Sequence, residues 1–85
     1  MKILETSKFR KLRKRIGGEV ERSALKNALA EIEKDPNTGK RLKGEFALLR
    51  SFPYTVEVQP RRLIYRWEKD VIILFSFGLR EGLYK

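Results

Sequence analysis

Residues 61–85, RRLIYRWEKDVIILFSFGLREGLYK, decide the fold. Two runs rich in β-branched and aromatic residues flank Glu68, Lys69 and Asp70, which predicts a β-hairpin. Side chains alternate across a strand, so the register of this hairpin sets which residues are buried together. With a loop at Glu68, Lys69 and Asp70, Trp67 meets Val71, and Leu63, Tyr65, Trp67, Val71, Ile73, Phe75 and Phe77 make one apolar face. The opposite face then carries Arg62, Ile64, Arg66, Ile72, Leu74, Ser76, Gly78 and Arg80. A loop shorter by one residue sets Arg62 and Arg66 among Ile73, Phe75 and Phe77, where guanidiniums lack a partner, so the longer loop is expected.

Outward from the hairpin, YTVEV (54–58) and FALLRS (46–51) also read as strands. Tyr54, Val56 and Val58 join the core face, and Pro60 argues for a loop over 58–61 with Glu57 opposite Arg62. Upstream, MKILE is a short first strand, and Thr6 or Ser7 offers an N-cap. In SKFRKLRKRI, Phe9, Leu12 and Ile16 share one helical face while Lys8, Arg10, Lys11, Arg13, Lys14 and Arg15 surround it. Gly17 and Gly18 end that helix. A second, over EVERSALKNALAEIEKD, has Val20, Ala24, Leu25, Ala28, Leu29 and Ile32 as its apolar stripe and stops at Pro36 and the turn-forming residues 37–39. Helices so closely joined predict a helical hairpin. The expected architecture is α+β, in the order β-α-α-β-β-β, with an antiparallel-type sheet and the N-terminal helical hairpin packed on one face.

At 85 residues the chain is expected to be one domain, 1–85, since a second core would bury too little surface to offset its ordering entropy. It has no Cys and no His, which removes disulfides, thiolate nucleophiles, most zinc sites and the usual neutral-pH acid–base group. Chemistry falls to Lys, Arg, Tyr and carboxylates, with no metal and no cofactor expected. No apolar run approaches the roughly 20 residues that span a bilayer, and a cytoplasmic, monomeric protein is the expectation. Lys and Arg number 20 against 11 Asp and Glu, a formal net charge of +9. Such a chain attracts polyanions, nucleic acid first among them.

The order helical hairpin, GKRLKGEF, strand, RRLIYRW, VIILFSFGLREGLYK resembles the RelE/ParE superfamily of toxins from type II toxin–antitoxin pairs. The likeness covers nearly the whole chain. Its most specific parts are Leu42-Lys43-Gly44, the arginine–aliphatic–aliphatic–tyrosine run Arg62 to Tyr65, and the spacing of Gly78, Arg80 and Tyr84. The resemblance implies a RelE-like fold and one of two activities: cutting mRNA in the ribosomal A site, as in the RelE branch, or poisoning DNA gyrase, as in the ParE branch. It also implies a cognate antitoxin that wraps an amphipathic segment around the toxin. Operator DNA would be reached only through the antitoxin. On the RelE pattern, Arg62, Arg80 and Tyr84 match the catalytic set, and Lys43 matches the basic residue before the glycine after the helices. The middle strand has Thr55 and Glu57 where some relatives have lysines, and Leu79 stands where many have histidine. The retained arginines and tyrosine favour the nuclease branch. A non-catalytic basic RNA-binding module is the remaining alternative.

Metal-free RNA cleavage needs a base for the 2′-OH, an acid for the departing 5′-oxygen and positive charge on the transition state. Arginine does not titrate usefully, so Arg62 and Arg80 are assigned charge stabilisation and phosphate positioning. Tyr84 is the candidate base, since nearby cations favour its phenolate, and Glu57 is the alternative. Lys40 or Lys43 is the candidate acid. The expected RNA- and phosphate-binding set is Lys40, Lys43 and Arg50, together with Arg13 and Lys14 of the basic first helix.

Overall fold

The computed structural model describes residues 1–79. In chain order it contains β1 (Lys2–Glu5), α1 (Ser7–Lys14), α2 (Glu19–Lys34), β2 (Lys40–Arg41), β3 (Arg50–Val56), β4 (Gln59–Glu68) and β5 (Val71–Leu79). Single 3₁₀ turns lie at Pro36–Thr38 and Gly44–Phe46. The five strands form one sheet in the order β1-β5-β4-β3-β2. Helix α1 packs chiefly on β5 and α2 on β3.

The α+β class and the two N-terminal helices agree with the sequence expectation. The sheet is mixed, however: β1 runs parallel to β5, and the other pairs are antiparallel. Parallel neighbours need a long crossover, and everything between β1 and β5 supplies it. The FALL segment is no strand. Gly44–Phe46 is a 3₁₀ turn, closed by Leu49 N–H donating to the Phe46 carbonyl at 2.9 Å and Leu42 N–H to the Leu49 carbonyl at 3.0 Å. Gly44 takes φ 64°, a left-handed value open to glycine, which lets the chain reverse there.

Thr6 caps α1 as expected, its hydroxyl accepting from Phe9 N–H at 3.1 Å. The same hydroxyl donates to the Phe75 carbonyl at 3.1 Å, tying the helix start to β5. Asp35 caps the turn after α2 by accepting from Asn37 N–H at 3.1 Å. Within the stripe of α2, Leu25, Ala28 and Ile32 are buried, whereas Val20 is exposed.

The hairpin register departs from expectation in an instructive way. Glu68 pairs with Val71, Trp67 with Ile72 and Tyr65 with Leu74, so the loop is Lys69-Asp70 alone. Ile64 then pairs with Ser76, leaving Phe75 without a partner on β4: a β-bulge. Beyond it, Leu63 pairs with Phe77 and Arg62 with Gly78. The extra residue switches the parity of β5 midway. Ile72 and Leu74 therefore take the core places expected for Val71, Ile73 and Phe75, while Phe77 keeps its own. The bulge answers the objection to the shorter loop for Arg62, which it parts from Phe77, while Arg66 does pair with Ile73 and its guanidinium is met by Glu68.

The core thus joins Phe9, Leu25, Ala28 and Ile32 from the helices to Leu63, Tyr65, Ile72, Leu74 and Phe77 from the sheet. Phe9 and Phe77 meet edge to face, with ring centroids 5.1 Å apart. Tyr65 is fully buried, and its hydroxyl donates to the Pro36 carbonyl at 2.6 Å and accepts from Gly39 N–H at 2.9 Å. The chain leaving α2 is pinned to the centre of the sheet by that phenol.

The β3–β4 connection is also tighter than expected. Val56 pairs with Gln59, so Glu57 and Val58 alone make the turn, at φ 47° and 65°. Two left-handed residues match the twist of a hairpin. Pro60 is tolerated because it pairs with Thr55, one step from the loop, where an antiparallel ladder places no mutual hydrogen bonds.

Candidate RNA-binding site

Arg62 projects from the middle of β4 on the face opposite the helices, between its neighbours Pro53 on β3 and Gly78 on β5. Its side chain is half-buried and makes a long contact of 3.4 Å from Nη1 to Ser51 Oγ. The ion pairs among the described residues join Glu5 to Arg10 and Arg13, Glu19 to Arg22, Glu21 to Arg61, and Glu68 to Arg66. Arg62 belongs to none of them. A guanidinium with no carboxylate partner among the described residues is suited to bidentate phosphate binding.

Lys40 pairs with Ser51 across β2 and β3, so it shares the Arg62 face. Ser51, itself 2% exposed, stands between the two cations. In the next row, Ser51, Ile64 and Ser76 lie side by side on β3, β4 and β5 and are all buried. A depression of about 310 Å³ opens beside Arg62, lined by Pro53, Thr55, Pro60 and Arg61.

The other expected site residues are distributed differently. Glu57 does not stand opposite Arg62. It sits in the turn beyond Gln59, separated from Arg62 by roughly 10 Å of strand. Pro53 holds the place expected for it, because the tight turn shifts the ladder. Arg50 lies on the helix-bearing side, where Nη1 donates to the Gly39 carbonyl at 2.9 Å and the guanidinium rests 5.4 Å from the Trp67 ring centre. Arg13 is engaged on the helix side too, with Nη2 2.8 Å from Glu5 Oε1. That contact holds the Glu5 carboxyl below its ordinary range. Lys14 is exposed on the same helix, and Lys43 is exposed at the entry to the 3₁₀ turn. Arg62 and Lys40 therefore share one sheet face, while Arg13, Lys14 and Arg50 belong to the other side of the sheet. Arg80 and Tyr84 lie outside the described residues.

Phe52 and Tyr54 pack toward the core. Burial pushes the Tyr54 phenol up to about 12, against a nearby Arg61 guanidinium that favours ionisation, so it is unfit as a base near neutral pH. Arg61 is held by Glu21 at 2.9 Å and by Gln59, which ties β4 to the start of α2. The place of Ser51 was not legible from sequence. Only the pairing shows that it stands between Lys40 and Arg62.

Residues 3–85 match the family model described as ParE-like toxin of type II bacterial toxin–antitoxin system. The chain belongs to the ParE-like toxin family. Solved structures agree with the fold of this toxin. A chain of the intact E. coli RelBE toxin–antitoxin complex superposes with a TM-score of 0.73 at 23% identity, covering 94% of this chain and 96% of that one. The isolated E. coli RelE toxin gives 0.72 at 21% identity, with 98% and 89% covered. E. coli YafQ gives 0.68 at 17% identity, with 98% and 97% covered. No curated protein matches the toxin by sequence. Among its described residues, no helix is long and apolar enough to cross a membrane.

Proposed function

We propose that this toxin is a ribosome-dependent endoribonuclease that cleaves mRNA in the A site and is neutralised by a cognate antitoxin. The observation that carries this reading is the Arg62 guanidinium, in no ion pair among the described residues, on the same sheet face as Lys40 and opposite α1 and α2. The fold likeness to RelE supports it.

In the proposed reaction the ribose 2′-oxygen attacks phosphorus as the bond from phosphorus to the 5′-oxygen breaks, leaving a 2′,3′-cyclic phosphate and a 5′-hydroxyl. The 2′-OH proton passes to the Tyr84 phenolate, and Lys40 or Lys43 returns a proton to the departing oxygen. Arg62 and Arg80 stabilise the charge on the equatorial oxygens. Lys40 is favoured as the acid because it shares the Arg62 face. With Glu57 in the turn, Tyr84 is preferred as base. The antitoxin acts by covering this face and mediates any contact with operator DNA.

The ParE-like description of the family keeps a second reading in view, a toxin that inhibits DNA gyrase without cutting RNA. Primer extension on translated mRNA after a brief pulse of expression separates the two. Codon-phased 5′ ends that vanish in Arg62→Ala and Tyr84→Phe support the nuclease. Growth arrest with intact mRNA, unchanged in both variants, overturns it.

A further inference from the structure

A second concentration of positive charge lies on the helix-bearing side, past the end of α2, and the catalytic proposal makes no use of it. Arg41, Arg50 and Lys69 line a depression of about 300 Å³ with Trp67, Ala47 and Leu48. Arg41 and Arg50 are direct cross-strand partners, and like charges placed so repel each other. None of the three cations forms an ion pair among the described residues. Arg41 and Arg50 donate to backbone carbonyls, of Ala47 and Gly39, and no carboxylate among the described residues pairs with either. The nearby Glu68 carboxylate is taken up by Arg66, and both project from the far face.

The floor is as informative as the rim. The Arg50 guanidinium lies against the Trp67 indole, whose Nε1 donates to the Lys69 carbonyl at 3.1 Å, so ring and cation are both held in place. Leu48, 63% exposed, extends the apolar wall. Planar surfaces beside clustered cations suit a nucleotide, with its phosphate among the charges and its base on the indole or guanidinium plane. Three cations around one small hollow also match the charge density of a phosphodiester chain better than spaced carboxylates.

We propose that the Arg41–Arg50–Lys69–Trp67 hollow is a second RNA-binding site, holding a phosphate and its adjoining base from a strand other than the one at Arg62. It rests on the reading of this toxin as an RNA-binding protein and extends that reading to a separate segment, since the sheet stands between the two sites. Bound there, RNA orients the toxin without entering the reaction.

Trp67 is the single tryptophan of the chain, so its emission reports this hollow directly. The full chain is titrated with an eight-residue oligouridylate, and separately with octaglutamate, over a range of salt. Saturable quenching by the oligonucleotide is expected. In Arg41→Gln/Lys69→Asn its binding weakens about tenfold and the salt slope falls by about 1.4, two phosphates at about 0.7 each. Lys69→Asn alone guards against misfolding, since asparagine suits the φ of 47° at that position, and it loses about half of that slope. An unquenched Trp67, or variants that bind RNA like the parent, overturns the proposal. Equal weakening of octaglutamate also overturns it, in favour of an acidic peptide. Quenching that survives Arg62→Ala supports a separate site, and quenching lost in that variant refutes one. If RNA quenches Trp67 but translated mRNA stays uncut, this site stands and the nuclease reading fails.

Discussion

A Cβ built on Gly39 falls 2.4 Å from the Tyr65 hydroxyl oxygen, inside any allowed contact. The same phenol accepts from Gly39 N–H and donates to the Pro36 carbonyl, so the close approach belongs to a bonded junction between α2 and β2. Gly39→Ala must push out the ring or the chain, and it is expected to destabilise the fold by about 2–3 kcal/mol. Tyr65→Phe strands two buried backbone groups and is expected to lose about 1–3 kcal/mol. Urea denaturation checks both. A Gly39→Ala variant as stable as the parent contradicts the junction.

The Glu57–Val58 turn predicts the opposite direction of change. A β-branched residue at φ 65° is strained, and Val58 is 97% exposed, so no packing compensates. Glu57→Asn/Val58→Gly supplies residues that favour these angles and is expected to raise stability by about 1 kcal/mol. A lower urea midpoint in this variant argues against the tight turn.

Tyr54 links stability to alkaline pH. Its hydroxyl is buried without a hydrogen-bond partner among the described residues, so Tyr54→Phe is expected to gain about 1 kcal/mol at pH 7. Burial also raises the phenol from 10.0 to about 12 in the folded chain. A folded pKa above the unfolded one means that the neutral form is favoured in the folded state. Its stabilisation is complete below pH 10 and lost as pH climbs toward 12. The lead of Tyr54→Phe over the parent should therefore widen across that window. Urea midpoints measured at intervals from pH 9 to 12 test this, and a constant lead rejects it.

For the reaction itself, Arg62 is the residue to change. Arg62→Ala is expected to lower single-turnover cleavage on programmed ribosomes by about 100-fold or more, with urea stability nearly unchanged. Arg62→Lys keeps the charge but not the planar fork, and an intermediate rate is expected. Full activity in Arg62→Ala removes this side chain from the mechanism.

Much of the architecture was legible because its causes are local. Thr6 before an amphipathic run, the paired glycines after Ile16, and Pro36 after Asp35 each act on neighbouring backbone, and each marks an element end close to where it lies. Arg62 was recoverable as well, from its place in a short run whose apolar alternation puts it across the strand from Leu63. The sites of Lys40 and Arg50 were not. They depend on the register in which strands pair, and a shift of one position sends a side chain to the other face.

Taken alone, the order of residues determined two helices, the principal strands, a strongly cationic surface and the outward position of Arg62, since propensity and periodicity act within a few residues. Tertiary structure alone decided the rest. The bulge at Phe75 exchanges Ile73 and Phe75 for Ile72 and Leu74 in the core, and the tight turn at Glu57 and Val58 puts Pro53 beside Arg62. The bulge is settled by the joint packing of sheet and helices: Phe9 meets Phe77, and Thr6 takes the Phe75 carbonyl. No single strand holds that information, because the helix residues that meet the bulge lie dozens of residues away.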